Sequence, residues 1–505
     1  MILKCIFPLL LIFQLLHLSL QVSTETSARD ALYSNARQVR TFQGHEAALP
    51  LYQRILNDHI DYSAASHLGA SPLTPSRQDL ACRCDRLEKI QTLRETILRD
   101  YTHGNIKQMM RIPPEICCQG PVYLTPVAAG SCGRPPEIES KLDCLVTLFL
   151  LGICVDVDTV KRFIGGDDAM ELLQDLGLAF IYENGNKMVV PHVHLFPIDF
   201  ANSNNRNNLT LILATDLHPR VLSTTTVGNQ NNGAVMYIGP DSLSLVRHIP
   251  KFKVDNETKI LDLCTGSGVQ ALAALARSSA GITATCVDIN PRALQFTRFN
   301  AALNGFGVLT IQGDLMVGID DDLVHDSYDL ILANPPFIPV PPAKEILQRY
   351  GLFSSGGADG EVILRRVLEL AGRKLAKEHG VLSIVSEFMN PQDPTLLERL
   401  MDWWGITTAA TGVLLTNEVP VNDAEYAARR ADSEREYNVW LEHLHDVNIN
   451  HVSPGLLFVQ SSSEGAKLEL KHHIVPKTKH GSIWTPSNRD AMAFIDDILS
   501  KLSRV

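Results

Sequence analysis

The spacing of hydrophobic residues changes character along the chain. Over residues 31–111 they recur at three- and four-residue steps among charged neighbours, as in Leu51-Tyr52, Ile55-Leu56, then Leu87, Ile90, Leu93 and Ile97. This period gathers them on one helical face and predicts amphipathic helices, with a loop at the proline-bearing stretch 71–76. A Pro-, Gly- and Cys-rich connector covers 111–136. Apolar blocks follow at 142–151, 157–164 and 169–176, then at 179–182 and 188–190 on either side of the turn residues 183–186. Three short helices and a hairpin predict a winged-helix-like module. Residues 202–208 and 224–232 are polar loops around an apolar strand at 209–214. From Lys259 onward short apolar strands alternate with amphipathic helical runs, the pattern of a parallel α/β sheet. Strands are expected at 260–263, 282–287, 308–311, 328–333, 380–386, 411–415 and 456–460, with a long helix near 424–445. The expected division is a targeting segment 1–24, a helical region 25–135, the winged-helix-like module and connector 136–232, the sheet domain 233–460 and an extension 461–505 with a solvated basic surface.

The amino terminus departs from these periods. A short basic start precedes an apolar run at 5–22, interrupted by Pro8, Gln14 and His17, and then a small polar stretch at 23–28. That is the shape of a signal peptide, which points to the secretory route or an organelle, with the cytoplasm as the alternative. No stable membrane association is expected after processing. The sequons at Asn208 and Asn256 are compatible with this targeting without deciding it.

Composition narrows the classes. Of 505 residues, 45% are hydrophobic and 20% charged, which excludes a mostly disordered, collagen-like or polytopic membrane chain. With 56 acidic against 45 basic residues the formal charge is -11, so any contact with nucleic acid has to be local. The ten cysteines are irregularly spaced and give neither a disulfide framework nor the pair spacing of a zinc site, so no metal is expected.

The chemistry-bearing residues lie in the sheet region. Ile260-Leu261-Asp262-Leu263 runs into Cys264-Thr265-Gly266-Ser267-Gly268 and then a helical run. Glycines after a buried strand let the backbone turn tightly and approach a ligand at a helix amino terminus. The next strand ends in Asp288, placed to accept ribose hydroxyls, and the third in Gly313-Asp314. Three acids thus fall at successive strand ends on one sheet edge. The strand 328–333 breaks at Asn334-Pro335-Pro336-Phe337, because prolines cannot continue a central ladder and present a rigid loop at that edge. An amide or aromatic amino nitrogen is a poor nucleophile, its lone pair being delocalised. Accepting its N–H groups at the Asn334 side-chain oxygen and the Pro335 carbonyl would aim it, while Phe337 stacks on the planar group.

DLCTGSG, VDINPRAL, GDL and NPPF together resemble class I S-adenosylmethionine-dependent methyltransferases, and NPPF resembles those that modify planar NH2 groups, the release-factor glutamine methyltransferases and nucleic-acid base methyltransferases. The resemblance covers about 236–460 and implies a Rossmann-like seven-stranded sheet. It implies S-adenosyl-L-methionine as cofactor, with Asp262, Gly266 and Gly268 around the methionine part, Asp288 on the ribose and Asp314 by the adenine. Cys264, Thr265, Ile289, Leu315 and Asn334 are their neighbours, Cys264 standing where the family more often has glycine. The segment 352–361 resembles the GG-x-DG segment of the glutamine methyltransferases and reads either as a flexible lid or as an ordinary helix entry with Asp359 as cap. Residues 237–243 occupy the place of a cofactor-contacting hairpin in those relatives. The function implied is N-methylation of a macromolecular acceptor, protein glutamine ahead of an RNA or DNA base. The alternative is a non-catalytic scaffold whose front module binds a protein partner.

Overall fold

The computed structural model describes residues 84–111, 137–200, 209–216, 235–476 and 483–502, with short interruptions inside these spans. The targeting segment and the helices expected before residue 84, with nearly all of the connector 112–136, lie outside the described residues. So do the loops 202–208 and 224–232, Asn208 and Asn256.

The front module begins with helices α1 (Leu87–Thr92) and α2 (His103–Met110). Next come α3 (Lys141–Leu145), β1 (Val155–Asp156), α4 (Val157–Val160), α5 (Gly166–Asp175) and the hairpin β2 (Ala179–Asn184) with β3 (Asn186–Pro191). The three strands form an antiparallel sheet in the order β1-β3-β2. Ser140 and Asp156 cap α3 and α4 by accepting backbone N–H bonds from Asp143 and Thr159.

A second hairpin, β4 (Val193–Phe200) and β5 (Leu209–Asp216), stands apart as a two-stranded sheet. Outside the hairpin, its edges meet side chains instead of strands. On the β4 side the Tyr101 hydroxyl donates to the Leu195 carbonyl at 2.9 Å. On the β5 side the partner is α8 (Pro291–Asn304), a helix of the following domain. Alternate residues of a strand turn their N–H and C=O to the same edge. The N–H of Ile212 donates to Asn304 Oδ1 at 2.9 Å and its carbonyl accepts from Asn304 Nδ2 at 2.8 Å. The N–H of Ala214 donates to Asn300 Oδ1 at 2.7 Å and its carbonyl accepts from Asn300 Nδ2 at 2.9 Å. Two carboxamides at i and i+4 of one helix face thus mimic a neighbouring strand. At the end of β5, Arg292 Nε donates to Asp216 Oδ2 at 2.8 Å and its Nη2 bonds Oδ1, closing a bidentate pair that is almost wholly buried.

The main sheet holds β6 (Ile260–Leu263), β7 (Thr283–Asp288), β8 (Gly307–Gln312), β9 (Leu330–Ala333), β10 (Val381–Met389), β11 (Ala410–Asn417), β12 (Val421–Asn422), β13 (His451–Ser461) and β14 (Leu468–Val475). Their order is β14-β11-β13-β10-β9-β6-β7-β8, with β12 on β13. β8, β7, β6, β9 and β10 are parallel, while β13 runs antiparallel between β10 and β11. β6 and β9 are buried at every residue, as central parallel strands covered on both faces must be. One face is covered by α7 (Val269–Arg277) and α8, the other, beyond the short α9 (Lys344–Leu347), by α10 (Val362–Lys374) and α11 (Thr395–Trp404).

Three expectations need correction. The tail after residue 460 is not only a solvated extension: β14 pairs with β11 along its whole length and the helix Arg489–Leu502 packs on both. The single long helix near 424–445 is two, Asp423–Arg430 and Glu434–Asp446, because Ser433 accepts the Glu436 N–H and starts a new helix. Residues 240–247, read against a hairpin in the relatives, form helix α6 (Pro240–Arg247), with Pro240 at its first turn. No helix among the described residues is long and apolar enough to cross a membrane.

The clasp between β5 and α8 predicts a large stability cost for a polar residue. Replacing the fully buried Asn300 by alanine strands the N–H and C=O of Ala214 and the Ser267 carbonyl. At about 1–3 kcal/mol per abandoned buried group, partly relieved by relaxation, we expect a loss of about 2–4 kcal/mol, read from the urea midpoint. Asn304→Ala, at a half-buried position, should cost less; a loss below about 0.5 kcal/mol for Asn300→Ala would mean that the hairpin is held by other contacts.

Candidate active site

At the carboxyl ends of β6, β7, β8 and β9 lies a cavity of about 440 Å³, within the roughly 300–1,000 Å³ of small-ligand sites. The loop leaving β6 forms one wall. Cys264, Gly266 and Gly268 all have left-handed backbone, with φ of 56°, 56° and 81°. Gly268 also allows close contact with α8, since a Cβ there would lie 3.0 Å from Thr297 Cγ2. The loop is tied down from outside: Thr297 Oγ1 donates to the Gly266 carbonyl at 3.0 Å and Asn300 Nδ2 to the Ser267 carbonyl at 2.8 Å.

Cys264, Thr265, Gly266, Asp288, Ile289, Asp314, Leu315 and Asn334 border the cavity together. Asp262 and Gly268 do not. Asp262 is fully buried under the loop, where its Oδ2 accepts from Thr265 Oγ1 at 2.6 Å and from the Ala271 N–H at 3.2 Å. It staples the loop to the start of α7, and burial pushes its carboxyl up to about 7. Asp288 Oδ2 accepts the Gly266 N–H at 2.9 Å and Oδ1 the Asn290 N–H at 2.9 Å, so the acid closes the glycine loop as well as lining the cavity. Burial raises the Asp288 carboxyl, and these backbone bonds oppose it. Asp314 Oδ1 accepts from the Met316 N–H at 2.9 Å. Gly313 before it is required by space, since a Cβ would lie 2.6 Å from Ile319 Cγ2. The Cys264 thiol is pushed well above its ordinary range, first by burial and then by Asp288 and Asp262.

The NPPF loop is divided. Asn334 and Pro336 line the cavity, whereas Pro335 is buried and Phe337 turns to Trp484, with ring centroids 5.6 Å apart. The planar surfaces facing the cavity belong to Tyr237, Tyr350 and Phe353. Asn334 Nδ2 donates to Asp241 Oδ2 at 2.8 Å and to Ser242 Oγ at 3.0 Å, leaving Oδ1 as the uncommitted end of its carboxamide. Sequence reasoning missed Asp241, Ser242 and Tyr350; the stretch 237–243 had drawn attention, but nothing in it signalled a bond to a residue some ninety positions on.

The GG-x-DG segment is no free lid. Gly356 N–H donates to the Ile338 carbonyl at 2.9 Å, and the Gly357 carbonyl accepts from the Val340 N–H at 3.1 Å. A Cβ on Gly356 would lie 2.8 Å from Phe337 Cα, and one on Gly360 2.7 Å from the Phe337 carbonyl. The glycines let this segment pack backbone to backbone on the NPPF loop, while Asp359 Oδ1 accepts from the Glu361 N–H at 2.9 Å, a local turn ahead of α10 that leaves the helix itself without a side-chain cap.

The described residues lining the cavity include Asp288 and Asp314 and no Lys, Arg or His. Such a cavity suits a cationic adenosine-bearing ligand and disfavours a phosphate-bearing dinucleotide. Among the described residues no cluster of three or more His, Cys, Asp or Glu is placed to hold a metal ion.

Comparison with known proteins agrees with this geometry. Residues 238–349 match the methyltransferase small domain family. The chain is 32% identical to a release factor glutamine methyltransferase of Mycolicibacterium smegmatis over 28% of this chain and 52% of that one. It is 29% identical to a putative protein N5-glutamine methyltransferase of Methanocaldococcus jannaschii over 31% of this chain and 74% of that one. It is 31% identical to a ribosomal protein uL3 glutamine methyltransferase of Bradyrhizobium diazoefficiens over 29% and 46%. The chain thus spans about half the length of the release-factor and uL3 relatives. A solved putative class I methyltransferase of Listeria monocytogenes is 11% identical over 55% of this chain and 73% of its own, with a TM-score of 0.31. The strand order with its antiparallel β13, the glycine loop and the acid-ended strands give the sheet domain the Rossmann-like fold of class I methyltransferases, and within it residues 238–349 are similar to the methyltransferase small domain family.

Proposed function

We propose that this protein transfers the methyl group of S-adenosyl-L-methionine to the side-chain amide nitrogen of a glutamine in a protein acceptor. The observation that carries the reading is Asn334 at the cavity edge, its NH2 committed to Asp241 and Ser242 and its oxygen left to accept. The relatives named above are glutamine methyltransferases of proteins, and the net charge of -11 favours a protein over a polyanion as acceptor.

The cofactor, when bound, supplies a methyl group on a positively charged sulfur that leaves as a neutral thioether. The residues of this chain do the rest. Asp288 offers the ribose hydroxyls the lone pairs not used by Gly266 and Asn290, Asp314 and Leu315 border the adenine end, and the glycine loop borders the methionine end. Asn334 Oδ1 accepts an N–H of the incoming amide and turns its nitrogen lone pair toward the methyl carbon. With the amide so held, its nitrogen would take up the methyl group as the thioether leaves and would give up one proton to solvent. Charge is dispersed during transfer, so most of the acceleration would come from alignment of the amide. The aromatic faces of Tyr350 and Phe353, in place of Phe337, flank the planar acceptor. The retained polar groups around the cavity weigh against a non-catalytic scaffold.

Two substitutions test the two halves of the site. Asp288→Ala removes hydrogen bonds to a charged group and should weaken cofactor binding by roughly 10–100-fold in titration calorimetry. Asn334→Ala should bind cofactor within about threefold of the parent yet transfer labelled methyl groups roughly 10²–10³-fold more slowly. The acceptors for that assay are recombinant bacterial release factor and ribosomal protein uL3, with mass spectrometry locating the methyl group. Unchanged transfer by Asn334→Ala would sink the mechanism, and methylation of neither protein would sink the proposed acceptor.

A further inference from the structure

We propose that Asp241, helped by Ser242 and by the space at Gly239, is a positioning residue that holds the Asn334 carboxamide in the one orientation able to receive an N–H donor. The inference rests on the methyl-transfer reading above and deepens it. A carboxamide is nearly symmetric in shape: turning it over exchanges oxygen for NH2 with little change in volume. Turned the wrong way, Asn334 would offer two N–H donors to an acceptor that itself brings N–H donors. Something in the protein has to break that symmetry.

Asp241 does so by chemistry. An ionised carboxylate only accepts hydrogen bonds, and its Oδ2 lies 2.8 Å from Asn334 Nδ2, with Ser242 Oγ at 3.0 Å as the second acceptor. The flipped amide would set its oxygen against the carboxylate oxygen. Asp241 is 3% exposed, so that repulsion is felt in a medium of low dielectric. The same contact polarises the amide, drawing positive character to the NH2 and electron density to Oδ1, which becomes the stronger acceptor. Burial raises the Asp241 carboxyl, while the Asn334 amide and the backbone of Ser242 act against it.

The carboxylate has a place made for it. Asp241 is in the first turn of α6, and a Cβ on Gly239 would stand 2.3 Å from Asp241 Oδ1. Side chains at 239 would therefore expel the carboxylate from its position. The carboxamide is fixed from the other side too, since the Asn334 loop is bonded through Ile338 and Val340 to the glycine segment 354–357.

Asn-selective nitrogen-15 labelling reads the orientation without any acceptor, the Asn334 side-chain signals being assigned by their loss in Asn334→Ala. In Asp241→Asn the residue at 241 can donate or accept, so the symmetry returns. The Asn334 NH2 signals should then shift and exchange with solvent at least about tenfold faster. Ser242→Ala should act in the same direction more weakly and guards against a folding defect at 241. In kinetics with recombinant release factor, Asp241→Asn should lower kcat about 10–100-fold with acceptor KM and cofactor affinity changed less than about threefold. The double variant with Asn334→Ala should be no slower than Asn334→Ala alone. Unmoved Asn334 signals in both variants, or an Asp241→Asn cost as large in the Asn334→Ala background, would overturn the inference. A parent protein that methylates neither release factor nor uL3 would fail the acceptor reading instead, while the amide signals still decide the role of Asp241.

Discussion

The structure depends on helix α8 serving two masters. On one face Asn300, Asn304 and Arg292 take the place of a strand beside β5; Thr297 and Asn300 also hold the carbonyls of the glycine loop. Asn300 Nδ2 reaches both the Ala214 carbonyl in the hairpin and the Ser267 carbonyl in the loop. Because these groups are buried, each bond matters more for what its loss would leave unpaired than for its own strength. The cofactor loop is thereby as rigid as the helix behind it, and the helix is seated by the hairpin in front.

A similar economy governs the acceptor edge. The NPPF loop leaves the sheet where prolines end the ladder, is covered by a glycine segment that no larger residue could replace, and has its one polar side chain oriented from α6. Little of this edge is left to adjust when a ligand arrives. Catalysis by alignment asks for that, because the geometry has been set at folding.

Much of this was legible in the sequence, and the boundary between what was and was not follows range. The buried strands, the glycine loop and the acids at three strand ends are encoded within a few residues each, so their periodicity and turn chemistry suffice. The direction of a side chain is another matter. Spacing alone cannot tell whether Asp262 enters the cavity or folds back on Thr265 and Ala271, and it folds back. Phe337 was read as facing the acceptor, but its neighbour Trp484 comes from the far end of the chain. Asn300 and Asn304 look like ordinary helix residues until β5 is placed beside them. β14 did carry a signal, the alternation Leu468-Glu469-Leu470-Lys471, which the basic residues of the tail obscured.

The hairpin clasp also bears on what counts as a module. The matched stretch of 238–349 is a unit of sequence similarity, but its edge cuts through bonds: Asp216 accepts both from Arg292 and from the Val235 N–H at 2.8 Å. A chain trimmed to that edge would keep Asn300, Asn304 and Arg292 while losing their partners in β5, Ala214, Ile212 and Asp216. The boundary of the matched stretch and that of the hydrogen-bonded unit therefore differ, and the second takes in both strands of the hairpin.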